Sequence, residues 1–175
     1  SYATDRAYRG VGDMPPLGIR MMASLELALS AGELKLTSTD PDEQPFLDYR
    51  YFQQEEDLRR MREAVRLCVS LGEHERFNDI IESRIEPTEE ELASDESLNT
   101  YMIKEVTTGQ HISGTCKMGP DSDDMAVVNQ FGRVRGIQNL RIVDASIMPD
   151  CIRANTNVTT MMIAERVSDF IKEGK

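Results

Sequence analysis

The stretch from His111 to Ile171 constrains this chain more than any other. It sets His111 just ahead of a glycine-bearing turn at Gly114-Thr115, and then an apolar run, Leu140-Arg-Ile-Val, that ends in Asp144. Asn155-Thr-Asn157 follows and opens a segment with helical apolar spacing through Ile171. Glycine permits the tight turn after the histidine. Leu140 to Ser146 reads as a strand that delivers an acidic residue at its C-terminal end, where the ligands of open α/β sheets collect. Asp144 suits equally well a cap on the turn before Ile147-Met-Pro149. Asn and Thr ahead of an apolar helical run are N-cap chemistry, and they leave backbone donors pointing out of the helix start. A histidine titrates near neutrality and can take a proton from a hydroxyl, but the same residue type serves as a hydrogen-bonded structural group. Cys116, five residues on in a glycine-rich loop, has no readable base-nucleophile geometry and reads as a small packing residue.

Five blocks stand in fixed order. They are His111-Ile-Ser-Gly114-Thr115-Cys-Lys-Met118-Gly119; Val134-Arg-Gly136; Asn139-Leu-Arg-Ile-Val-Asp144-Ala145-Ser146 with Pro149; Asn155-Thr-Asn157; and Met162-Ile-Ala-Glu165-Arg. Together they resemble the C-terminal signature of the glucose-methanol-choline (GMC) oxidoreductases. Asn rather than His at 155 looks most like the choline dehydrogenase and choline oxidase branch. Two features depart from the pattern: Asn129 stands where the family usually has Asp, and the Gly-x-Gly-x-x-Gly dinucleotide fingerprint is missing. With Ser1 as its first residue, the chain is expected to be a fragment, a processed product or a trimmed chain.

The resemblance implies an α+β fold. Residues 1–126 would be part of a substrate domain with an antiparallel sheet and packed helices. Residues 127–175 would return to an FAD-binding, Rossmann-like domain, supplying its C-terminal strand and helix without its N-terminal part. The implied function is the base-bearing portion of an FAD-dependent alcohol oxidoreductase, in which a hydride passes from the alcohol carbon to flavin N5. His111 and Asn155 would be the catalytic pair, one taking the hydroxyl proton and the other holding the oxygen. Asp144, Ala145, Thr156, Asn157 and Val158 would meet the cofactor, and no metal is implied. Asn157 serves as well as a simple helix cap. FAD would belong to the full-length protein and would not be retained by this chain alone. Its partners would be a small alcohol and the missing N-terminal flavin portion, in cis or in trans. The alternative is a non-catalytic docking module that kept the fold. Oxidase, dehydrogenase and a lyase on the same scaffold are not separated by these residues.

Composition narrows the partners further. Twenty basic against 31 acidic residues give a formal charge of −11, which opposes binding to phosphate backbones and anionic membrane surfaces. Nucleic acid is therefore not expected. No apolar run approaches a membrane span. Three widely spaced cysteines, Cys68, Cys116 and Cys151, suggest neither a disulfide framework nor a zinc site, so a reducing compartment, the cytoplasm, is expected. At 175 residues and 39% hydrophobic, the chain is long enough for a real core.

Residues 1–16, with two glycines and two prolines, read as an irregular lead-in. Ile19 to Leu29 reads as a strand, Ser30 to Gly32 as a turn, and Glu33 to Thr37 as a half-buried strand of period two. The wording from Gly32 to Asp40-Pro41 also resembles, weakly, the family's substrate-domain hairpin. Leu58, Met61, Val65 and Cys68 share one helical face, with Glu55–Arg59 and Glu56–Arg60 as i,i+4 pairs and Gly72 at the end. Phe77 to Ile81 predicts a short helix, and Ser94 caps another that runs to Thr107. His74, flanked by charges, reads as a surface residue. The acidic stretch from Glu86 to Glu91 reads as a solvated loop and helix start.

Overall fold

The computed structural model describes Tyr2–Thr4, as backbone, and residues 19–175. These fall into two compact units, 1–109 and 110–175. The expected lead-in lies outside the described residues except at its start, where Tyr2–Thr4 is not irregular but forms strand β1. That strand is central in a three-stranded antiparallel sheet, flanked by β2 (Ser24–Leu25) and β5 (Val106–Thr108). Tyr2 faces Leu25 on one side and Thr108 on the other.

The strand expected over Ile19 to Leu29 shrinks to β2. β3 (Glu33–Lys35) pairs not with it but with β4 (Phe46–Asp48), Leu34 opposite Leu47, so the hairpin closes over a loop marked by Asp40-Pro41 and Gln44-Pro45. β3 is also not half-buried: Leu34 and Leu36 both lie exposed in this unit.

The helical face predicted around Met61 forms α1 (Glu55–Gly72), with Met61 and Val65 buried and Leu58 and Cys68 half-buried. Met61 packs with Leu98 and Met102 of α3 (Asp95–Glu105) and with Ala23, Leu25 and Phe52 into the core of this unit. Burial pushes the Cys68 thiol pKa up, which keeps it a packing group rather than a reactive one. The expected i,i+4 pairs do not form. Arg59 binds Glu56 and Glu63 instead, while Arg60 donates to the Leu27 and Glu26 carbonyl oxygens, 2.9 and 2.7 Å away. Buried Asp57 accepts from the Leu29 and Ser30 amides and the Ser30 hydroxyl, at 2.9, 2.7 and 2.6 Å, and so fixes the loop before β3 to α1.

Ser94 caps α3 as expected, in a reciprocal box with Ser97. The short helix expected over Phe77 to Ile81 is a 3₁₀ turn at Glu75–Phe77, and exposed His74 accepts from the Arg76 amide at its start. In the acidic stretch, Thr88 and Glu91 form a capping box at the head of α2 (Glu89–Leu92).

The second unit is mostly turns. Within it, residues 114–128 are stitched to later ones. Gly114, Cys116 and Met118 donate to the carbonyls of Ala145, Ser146 and Ile147, and Val127 donates to Lys117. The strand expected from Leu140 to Ser146 is a single bridge, Arg133 to Arg141, followed by a 3₁₀ turn at Ala145–Ile147. α4 (Thr156–Lys172) packs on that turn. Its apolar residues are not all covered within this unit: Val158, Met161 and Met162 are 71, 53 and 57% exposed, and only Thr156 and Val167 are buried. One covered side cannot hide a helix that is apolar on several. No helix among the described residues is long and apolar enough to cross a membrane.

Candidate active site

The site residues named from the sequence all lie in the second unit. His111 Nδ1 and Thr156 Oγ1 are 3.2 Å apart, a side-chain hydrogen bond across 45 residues of sequence. The ring is half-buried, and Thr156, the first residue of α4, is 9% exposed. Two features place them. Gly114 has φ +82°, a left-handed conformation that suits glycine, and it turns the chain after His111 so that residues 114–118 run along Ala145–Ile147. α4 then packs on the same turn, bringing its first residue to the imidazole.

Asn155 occupies the N-cap position of α4, but its side chain makes no cap hydrogen bond and is exposed. Asn157 and Val158, the second and third residues of α4, are exposed as well. The start of α4 therefore presents backbone N–H groups not capped by a side chain, together with a free-standing amide, next to a histidine. This donor set can hold an oxygen or an electron-rich ring edge, and the positive end of the helix favours negative charge there.

Asp144 has a different task. Its carboxylate accepts from the Ser146 amide at 2.8 Å and from the Ser146 hydroxyl, which caps the 3₁₀ turn. Of its two readings, the cap is the one its side chain performs. Ala145 accepts from the Gly114 amide and thereby links the turn to the segment after His111.

Asn129, the departure noted above, builds its turn without loss: its side-chain oxygen accepts from the Phe131 and Arg133 amides at 3.0 and 3.2 Å. An amide oxygen and a carboxylate oxygen are interchangeable in such a turn. Nearby, Lys117 bonds Asp123 at 2.7 Å and, with the Met125 amide, holds that carboxyl below its usual range. Cys116 and Cys151 are half-buried free thiols, and no His, Cys, Asp and Glu cluster suited to a metal ion occurs among the described residues.

Residues 28–164 match the model of the GMC oxidoreductase C-terminal domain. The chain belongs to the GMC oxidoreductases. Its relatives in this family include the oxygen-dependent choline dehydrogenase of Proteus mirabilis (strain HI4320), 39% identical over 82% of this chain and 25% of the relative. The enzyme of the same name from Escherichia coli O6:K15:H31 is 34% identical over 94% of this chain and 29% of the relative. Among solved structures, formate oxidase superposes with a TM-score of 0.74 at 31% identity, over 82% of this chain and 25% of that one. Pyridoxine 4-oxidase from Mesorbium loti gives 0.73 at 27%, over 79% and 26%. The chain thus spans about a quarter to three tenths of the length of these GMC proteins, which are FAD-dependent oxidoreductases. The α+β fold, with helices and a small antiparallel sheet, is that of the GMC C-terminal domain.

The role of the Thr156 hydroxyl was not legible beforehand. The resemblance marked it for the cofactor, whereas its hydrogen bond to His111 depends on a fold that brings residues 45 apart together.

Proposed function

We propose that this chain is the base-bearing wall of a GMC flavin site, acting on a small alcohol within a longer polypeptide that supplies the rest of that site. The observation that carries the reading is the hydrogen bond from His111 to Thr156, the residue after Asn155, which brings the histidine to the start of α4. The residues present fit one edge of FAD: the uncapped N–H groups of α4 and the exposed Asn155, Asn157 and Val158 form an open rim of donors. Ala145 and the turn capped by Asp144 would lie along the cofactor's side of that rim.

When bound, FAD supplies the hydride acceptor, which the protein itself lacks. His111 Nε2, the nitrogen turned away from Thr156, receives the alcohol proton as the carbon is oxidised. The Asn155 amide donates to the same oxygen and orients it. The helix end stabilises negative charge that develops beside it. In this division residues 1–126 belong to the substrate side and residues 127–175 to the cofactor side, and the cytoplasm is the proposed location.

Half a site should not function alone. The glycine turn and helix end that hold a diphosphate in this fold class are absent from these 175 residues. The purified chain, incubated with FAD and desalted, is expected to keep no flavin absorbance and to reduce no dye with a panel of primary alcohols that includes choline. Stoichiometric flavin retention would contradict the reading of the chain as one wall of a shared site.

A further inference from the structure

We infer that Thr156 is a positioning residue for His111: its hydroxyl accepts a hydrogen bond from Nδ1–H and so keeps the Nε2 lone pair as the proton acceptor. The inference rests on the proposed role of His111 but is tested separately from it. A neutral imidazole carries one proton, and the hydrogen bond made by one nitrogen decides the state of the other. Here the partner of Nδ1 is a hydroxyl at 3.2 Å, a group that can receive an N–H or donate its own O–H, and the inference takes the receiving sense, which leaves Nε2 free to accept the substrate proton.

Both ends of this bond are held by the fold. Thr156 is almost buried in the first turn of α4, and its carbonyl accepts from the Thr160 hydroxyl at 2.9 Å. The histidine segment is tied to Ala145–Ile147 by the Gly114, Cys116 and Met118 amides, at 3.4, 2.9 and 2.8 Å. That turn packs on α4. Ring and hydroxyl therefore share one frame, which is what a group needs in order to fix a ring's orientation as well as its tautomer.

The other histidine provides an internal contrast. His74 Nδ1 accepts from the Arg76 amide at 3.2 Å, so its neutral ring must carry the proton on Nε2. The chain has only these two histidines. Selective ¹⁵N-histidine labelling, at a pH where both rings are neutral, should then show opposite tautomers: Nδ1–H for His111 and Nε2–H for His74. Thr156→Val, which keeps the shape and removes the hydroxyl, should move His111 toward Nε2–H and leave His74 unchanged. Thr156→Ser should restore the wild-type pattern.

In the full-length, FAD-loaded protein, Thr156→Val should lower kcat about fivefold, the scale of one neutral hydrogen bond, with KM little changed and with recovery in Thr156→Ser. A wild-type His111 found as Nε2–H overturns the inference even if Thr156→Val does not fold. A tautomer indifferent to Thr156→Val overturns it as well. If the tautomers behave as stated while His111→Ala leaves turnover intact, the positioning role stands and the proposed base role falls.

Discussion

In residues 1–109, Met61, Leu98 and Met102 are fully withdrawn from water where α1 and α3 meet, and the loops are anchored to that core by groups such as Asp57. In residues 110–175 the buried apolar residues, Ala126, Val128, Ile147, Met148 and Val167, lie among turns, and the frame between them is built from backbone hydrogen bonds. One unit is held by side-chain packing and the other by main-chain stitching. Packing tolerates changes of loop sequence, whereas stitching depends on particular turn residues, and the site residues lie in the stitched unit. Turn formers recur there for that reason: Gly114 supplies a left-handed turn, and Asn129, in place of the family's usual Asp, accepts from the amides of its own turn.

The contrast can be broken most forcefully in the packed unit. Leu98→Ala should cost about 3 kcal/mol, the usual penalty for emptying a fully buried leucine site, read as a lower urea midpoint. A cost under about 1 kcal/mol would mean that Leu98 does not sit in a tight core.

The stitched unit should fail at a glycine instead. Gly132 has φ +72°, and a Cβ there would lie 2.9 Å from the Ile142 carbonyl oxygen, while the Ile142 amide donates to the Gly132 carbonyl at 2.9 Å. Gly132→Ala should cost about 2 kcal/mol through this strain and clash, with faster hydrogen exchange at the Ile142 amide. Unchanged exchange there would show that the turn adapts freely.

The smallest effects belong to the acidic stretch. Glu89→Gln and Glu90→Gln should stay within about 0.5 kcal/mol, since both are exposed and Glu89 meets the half-buried Arg84 from the solvent side. Glu91→Ala should cost about 1 kcal/mol, because Glu91 receives the Thr88 amide in the capping box. Equal effects at all three positions would erase the distinction between a solvated charge and a cap.

Legibility followed the same division. α1 and α3 were readable because apolar periodicity and a serine cap are local signals, and they agree with the packing that α1 and α3 adopt. The partner of β3 was not, since pairing across a ten-residue loop depends on contacts that no local pattern encodes. Arg60 was assigned to a helix neighbour, but the carbonyls of Glu26 and Leu27, distant in sequence, claimed it. The apolar run before Asp144 promised a strand, yet only Arg141 forms a bridge before the chain enters the 3₁₀ turn. In the second unit, the resemblance singled out His111 and the start of α4, and the fold added the bond between them. The exposed face of α4 shows the limit of periodicity, which counts apolar residues without saying what covers them.

His111 is proposed to take the substrate proton. Rapid-mixing measurement of flavin reduction by the best alcohol substrate, in the full-length protein and its His111→Ala variant, tests this most directly. The rate should fall at least about a hundredfold in the variant, the span of lost general-base catalysis, while flavin content stays the same. Reduction at the wild-type rate with flavin fully bound would contradict it.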